Sequence, residues 1–118
     1  LKQQESEPEA DGNNAPDDFI QQIIHVIEAN LANENFNVKM LAAEMNMSQP
    51  TLYRKVKQST DYTIIELIRG VRMRRAGVLL KTKQYAVQEV AEMVGYNDIP
   101  TFRKHFVDAF GTTPSTYE

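Results

Sequence analysis

Pro50-Thr51-Leu52-Tyr53-Arg54-Lys55-Val56 and Pro100-Thr101-Phe102-Arg103-Lys104-His105-Phe106 are two versions of one segment, and reading them together decides the fold. A matching half precedes each: Leu41-Ala42-Ala43-Glu44-Met45-Asn46 before the first, Val90-Ala91-Glu92-Met93-Val94-Gly95 before the second. The upstream halves are offset by 49 residues (Ala42 to Ala91) and the downstream halves by 50 (Thr51 to Thr101). A repeat that tolerates one inserted residue between its halves reads as two helices joined by a turn. Each unit is too small to bury its apolar face alone, so the two should share a scaffold. Two helix-turn-helix units in one small domain predict a reader of double-stranded DNA.

Working outward, Asn37 can cap a helix over 38–45 that turns Leu41, Ala42 and Met45 inward. The chain must then turn sharply at Asn46, a residue type that accepts a left-handed conformation, and its counterpart Gly95 does so without steric cost. Ser48 is the cap of a helix over 49–58 with Pro50 in its first turn and Leu52 and Val56 as core anchors. The second unit repeats this with a helix over 87–94, the turn at Asn97-Asp98, and a helix from about 99 to 109. Phe102, Phe106 and Phe110 share its inner face, and Thr112–Tyr117 packs as a closing segment or a short final helix. Between the units, Asp61-Tyr62-Thr63 opens a long helix ending near residue 82. Its apolar residues, among them Ile64, Ile65, Ile68, Val71, Met73, Val78 and Leu80, are too many for one stripe, so it should be touched on several sides. Gly70 and Gly77 cost helix propensity and suggest close approach of another element. Ahead of the first unit, Phe19, Ile20, Ile23, Ile24, Ile27 and Leu31 recur at helical spacing in a helix to about residue 32, with Asp17 or Asp18 as its cap. No strand pattern appears, so the expected fold is all-α: two helix-turn-helix subdomains (about 37–58 and 86–110) on a linker helix (about 62–82), homeodomain-like.

A net charge of −3 looks wrong for a DNA reader until it is divided along the chain. Residues 1–18 hold six acids and one base, whereas residues 39–83 hold ten bases and three acids. Residues 1–16 have almost nothing to bury and are expected to be a flexible acidic linker, with the DNA-binding domain over 17–118. The local basic stripe, not the total, is the quantity that matters for nucleic acid. There is no cysteine, no signal-peptide pattern and no apolar run long enough for a membrane span, which fits a cytoplasmic protein. The chain lacks an initiator Met and reads as part of something longer.

In a helix-turn-helix the second helix enters the major groove. With Leu52 and Val56 inward, Gln49, Pro50, Tyr53, Arg54 and Lys57 face outward. Arg54 can make a two-pronged contact with guanine, and Gln49 can read adenine or reach a phosphate. Tyr53 can pack on a thymine methyl or donate to the DNA backbone, while Lys57 suits a phosphate. The second such helix presents Ile99, Pro100, Arg103 and Lys104, with Arg103 the better base reader. Ser48, Thr51, Thr101, His105 and Arg72 are further phosphate candidates. Of Arg69, Arg72, Arg74 and Arg75, at least one should pair with an acid such as Glu44 or Glu66.

The string Val90-Ala91-Glu92-Met93-Val94-Gly95-Tyr96, then Phe102-Arg103-Lys104-His105-Phe106, then Phe110-Gly111-Thr112-Thr113-Pro114 and Tyr117, resembles the signature of the AraC/XylS family of bacterial transcription regulators. Arg72 and Ala76 also fall where that family's long helix has an Arg and a small residue. The resemblance implies two units reading successive major grooves on one DNA face. A linker helix of roughly 19 residues spans about 28 Å, which suits a groove repeat of about 34 Å. Val107-Asp108 departs from commonly basic positions, so the second unit should grip DNA less strongly. An acidic linker ahead of such a domain is similar to the output end of hybrid two-component proteins. It implies an upstream receiver, sensor or effector domain, a homodimer formed through that domain, and RNA polymerase as a partner. A sugar- or metabolite-binding upstream domain fits equally.

An enzyme is not expected: there is no phosphate loop, no metal-spaced cluster and no cofactor motif, and His25 and His105 lie in different units. The alternative is a helical protein-interaction module within a signalling protein. It would explain the exposed Tyr53 but not the Arg and Lys at matching places of both repeats. Salt separates the two, because phosphate contacts weaken steeply with ionic strength and an apolar interface does not.

Overall fold

The computed structural model describes residues 16–117; most of the proposed acidic linker (1–15) and Glu118 lie outside them. The described residues form seven helices and no strand: α1 (Pro16–Ala29), α2 (Val38–Glu44), α3 (Gln49–Ser59), α4 (Ile64–Lys81), α5 (Val87–Met93), α6 (Ile99–Phe110) and α7 (Pro114–Tyr117). None of them is long and apolar enough to cross a membrane.

The repeat in the sequence is a repeat in hydrogen bonding. Asn46 sits at φ 58° and Gly95 at φ 90°. In the first turn, Met47 N–H donates to the Ala42 carbonyl (3.0 Å) and Asn46 N–H to that of Ala43 (3.1 Å). In the second, Tyr96 N–H donates to Ala91 (2.9 Å) and Gly95 N–H to Glu92 (3.1 Å). Both are the same left-handed helix stop, which satisfies the terminal carbonyls and aims the next helix away. Asn37 caps α2 by accepting from Met40 N–H, and Ser48 caps α3 by accepting from Thr51 N–H. Asp98 caps α6 by accepting from Thr101 N–H.

Two apolar cores hang on α4. Ile64, Ile68 and Val71 join Ile23, Ile27, Leu41, Leu52 and Val56 in one. Met73, Ala76, Leu79 and Leu80 join Val90, Val94, Phe102 and Phe106 in the other. Leu31 packs against both. A Thr63–Glu66 capping box fixes the start of α4.

Several expectations are corrected. α1 ends at Ala29, not about residue 32, because the Asn30 side chain donates to the Val26 carbonyl (2.9 Å) and closes the helix. It also begins at Pro16, so Asp17 and Asp18 lie in its first turn and do not precede it as caps. On α4, Ile65 and Val78 are more than half exposed, so burial is less complete than the apolar count suggests. Gly77 does admit a neighbour, since a Cβ there would meet Phe110 Cζ at 2.9 Å. Gly70 does not, with nothing within 4 Å of a Cβ. Phe110 is half-buried, and its ring packs tilted against Tyr117 of α7, with centroids 4.7 Å apart.

Candidate nucleic-acid interface

Each second helix buries one stripe and exposes another. On α3, Leu52 and Val56 are buried, while Gln49, Pro50, Tyr53, Arg54 and Lys57 are exposed. On α6, Phe102 and Phe106 are buried, Ile99 is half-buried, and Pro100, Arg103 and Lys104 are exposed. Arg54, Lys57, Arg103 and Lys104 have no acidic partner among the described residues. Unpaired cations standing off a rigid helix face leave their full charge for an incoming phosphate or base edge.

The hydroxyl candidates serve the helix starts. Ser48 Oγ donates to Thr51 Oγ1 at 2.9 Å while accepting the Thr51 N–H. Thr101 Oγ1 donates to the Asp98 carboxylate. These bonds fix the amino-terminal turns that would point at DNA. Lys55 lies over the Phe19 ring at 5.2 Å, so it braces α1 against the flank of α3.

His105 Nδ1 and the Tyr96 hydroxyl are hydrogen-bonded at 2.6 Å, leaving only Nε2 for any phosphate. Burial lowers the pKa of the imidazole, with Arg69 and Lys104 pushing the same way and Asp108 opposing. Its neutral form is thereby favoured. Burial raises the Tyr96 phenol, against the pull of Arg72 and Arg69.

Arg72 is not at the surface, which removes it from the phosphate candidates. It is 9% exposed. Its Nη2 donates to the Asn33 carbonyl at 2.9 Å and its Nη1 to the Gly95 carbonyl at 3.2 Å. The Tyr96 ring lies 5.9 Å from its Cζ. Burial lowers its pKa, with Tyr96 opposing. Its neighbours Val71 and Met73 are buried as well. The expected arginine–acid pair also differs. Arg74 pairs with Glu28 at 3.6 Å across α1 and α4, and Glu66 is committed to its capping box. Arg69 and Arg75 are exposed.

Residues 41–118 match the family model described as a helix-turn-helix domain. Over 100 residues the chain is 33% identical to Histidine kinase P4 of Formosa agariphila, covering 85% of this chain and 7% of that protein. It is 29% identical over 107 residues to the Msm operon regulatory protein of Streptococcus mutans, covering 91% of this chain and 38% of the regulator. The chain thus spans well under half the length of either relative. Among solved structures, it is similar to the DNA-binding domain of AdpA, a global transcriptional factor in complex with a target DNA. There the identity is 28%, the TM-score 0.74, and the coverage 88% of this chain and 90% of that one.

Proposed function

This chain belongs to the AraC/XylS-type family of helix-turn-helix transcription regulators and binds double-stranded DNA sequence-specifically, and from that premise we propose that α3 and α6 are its recognition helices. They enter two successive major grooves, at the ends of an α4 of 18 residues, or about 27 Å. The observation that carries this reading is the pair of cap-fixed helices whose exposed faces carry Arg54 and Lys57 on one and Arg103 and Lys104 on the other, none with an acidic partner among the described residues.

Arg54 and Arg103 are the base readers, with Gln49 and Tyr53 beside the first and Ile99, Pro100 and Lys104 beside the second. Pro50 packs along the groove wall. Lys57, the Thr51 hydroxyl and the free nitrogen of His105 take phosphates, while Ser48 and Thr101, whose hydroxyl protons already go to Thr51 and Asp98, hold the helix starts that aim at the DNA. Asp108 on α6 faces solvent where a base would strengthen the hold, so the second unit binds more weakly. The role is binding and not catalysis, and the working compartment is the cytoplasm. The 33% identity to part of a histidine kinase supports a place at the output end of a two-component protein. There an upstream receiver or sensor pairs two copies and raises affinity through effective concentration, and RNA polymerase is a further partner.

The test is selection of duplexes from a random library, followed by sequencing. Two enriched blocks about 10 base pairs apart, centre to centre, are expected. A single block would refute reading by the second unit. No enrichment, even from an artificially dimerised form, would refute the assignment of both helices.

A further inference from the structure

We propose that Arg72 sets the angle between the two recognition helices, and through it the operator spacing the protein accepts. The proposal rests on the two-groove reading above, and its first readout needs no DNA.

Apart from α4, little joins the units. No helix of the first unit packs extensively on a helix of the second among the described residues. One core takes the residues of α4 up to Val71 and the other takes those from Met73 onward. Arg72 lies between them and reaches both ways. Its fork holds the Asn33 carbonyl, in the turn between α1 and α2, and the Gly95 carbonyl, in the turn between α5 and α6. A planar guanidinium fixes two acceptors at a set angle, which one ammonium cannot do. The backbones also meet here, since a Cβ on Gly95 would lie 2.5 Å from the Leu31 carbonyl oxygen.

The junction continues to the reading surface. Tyr96 lies against Arg72 and its hydroxyl is hydrogen-bonded to His105, which is on α6 itself. A connected path therefore runs from the first unit's turn, through Arg72 and Tyr96, to the second recognition helix. Adding one base pair between half-sites turns the second groove by about 34°. A reader held at one angle rejects that change, and a loosened reader follows it.

Two measurements test the proposal on the full chain. The chain has no cysteine, so spin labels at Gln58→Cys and Asp108→Cys, both exposed positions, report the distance between α3 and α6 in free protein. A narrow distribution is expected for the parent and a clearly broader one for Arg72→Met. Binding is then measured on the selected operator and on versions with one base pair added or removed between blocks. The parent should lose more than tenfold and Arg72→Met threefold or less, with Arg72→Lys between them. If Arg72→Met does not fold, Arg72→Lys, which keeps the charge and loses the fork to Asn33 and Gly95, carries the same test. An unchanged distance width, or an unchanged spacing penalty in a folded variant, overturns the proposal. A broadened distribution with no spacing preference in the parent overturns the two-groove reading and leaves the lock standing.

Discussion

Replacing Gly95 with alanine should be among the most damaging single-methyl additions available in this protein. Two costs fall on it. The position sits at φ 90°, where an L side chain is strained by roughly 1–2 kcal/mol. The new methyl would also stand 2.5 Å from the Leu31 carbonyl oxygen and 2.9 Å from Arg72 Cζ. The first is backbone and the second a buried, doubly bonded guanidinium, so neither yields freely, and relief costs about 1–3 kcal/mol more. Against this, alanine stiffens the unfolded chain and returns about 0.4–1 kcal/mol. The net loss is about 3 kcal/mol, or a fall of about 12–24 °C in Tm for a domain of this size. Thermal unfolding followed by circular dichroism measures it. Asn46→Ala is the internal control, because Asn46 holds the equivalent left-handed position at φ 58° and already carries a Cβ. It should lose no more than about 1 kcal/mol. A Gly95→Ala loss within 4 °C of the control would refute the claim that the turn of the second unit is pressed against the first.

The two glycines of α4 should respond oppositely to alanine. Gly70→Ala, with open space around it, should raise stability by about 0.5–1 kcal/mol; Gly77→Ala should lower it unless the Phe110 ring swings aside. On DNA, Arg54→Ala should cost about 1–3 kcal/mol and relax preference at one base position, while Lys57→Ala weakens all sequences alike and flattens the salt dependence. Uniform loss for Arg54→Ala in a binding titration against single-base operator variants would remove it as a base reader. Because the folded-state pKa of His105 is lowered, the unfolded chain protonates first as pH falls below the ordinary value of about 6.5. Stability from this group is therefore complete above that pH and declines below it, until the folded form also protonates. Denaturant midpoints at pH 7.5 and 5 should differ less in His105→Gln than in the parent.

Much of the architecture was legible because the repeat writes local rules twice. The caps at Asn37 and Ser48 and the left-handed turns at Asn46 and Gly95 are set by residues next to them in sequence. The core phenylalanines of α6 follow from spacing alone. What escaped the sequence was set by distant partners. Arg72 looks like any helical arginine until Asn33 and Gly95 arrive from 39 and 23 residues away. Gly70 and Gly77 look alike, and only the position of Phe110 separates them. The end of α1 turned on one side-chain bond from Asn30, which periodicity cannot register. For the interface, the exposed faces of α3 and α6 followed from which residues anchor the cores. Which exposed cations were already engaged did not follow, since the Arg74–Glu28 pair depends on how α1 crosses α4.

The split of the apolar residues into two cores, meeting on α4 at Arg72, also bears on how the protein comes apart. Each core closes around its own helices, so one can open while the other keeps its amides shielded from solvent. Amide hydrogen exchange should therefore sort the chain into two protection classes, one around Leu41 and Leu52 and one around Val90 and Phe106. The central turns of α4, shared by both, should exchange as slowly as the more protected of the two. A stretch of helix that belongs to both halves is then the last to let go.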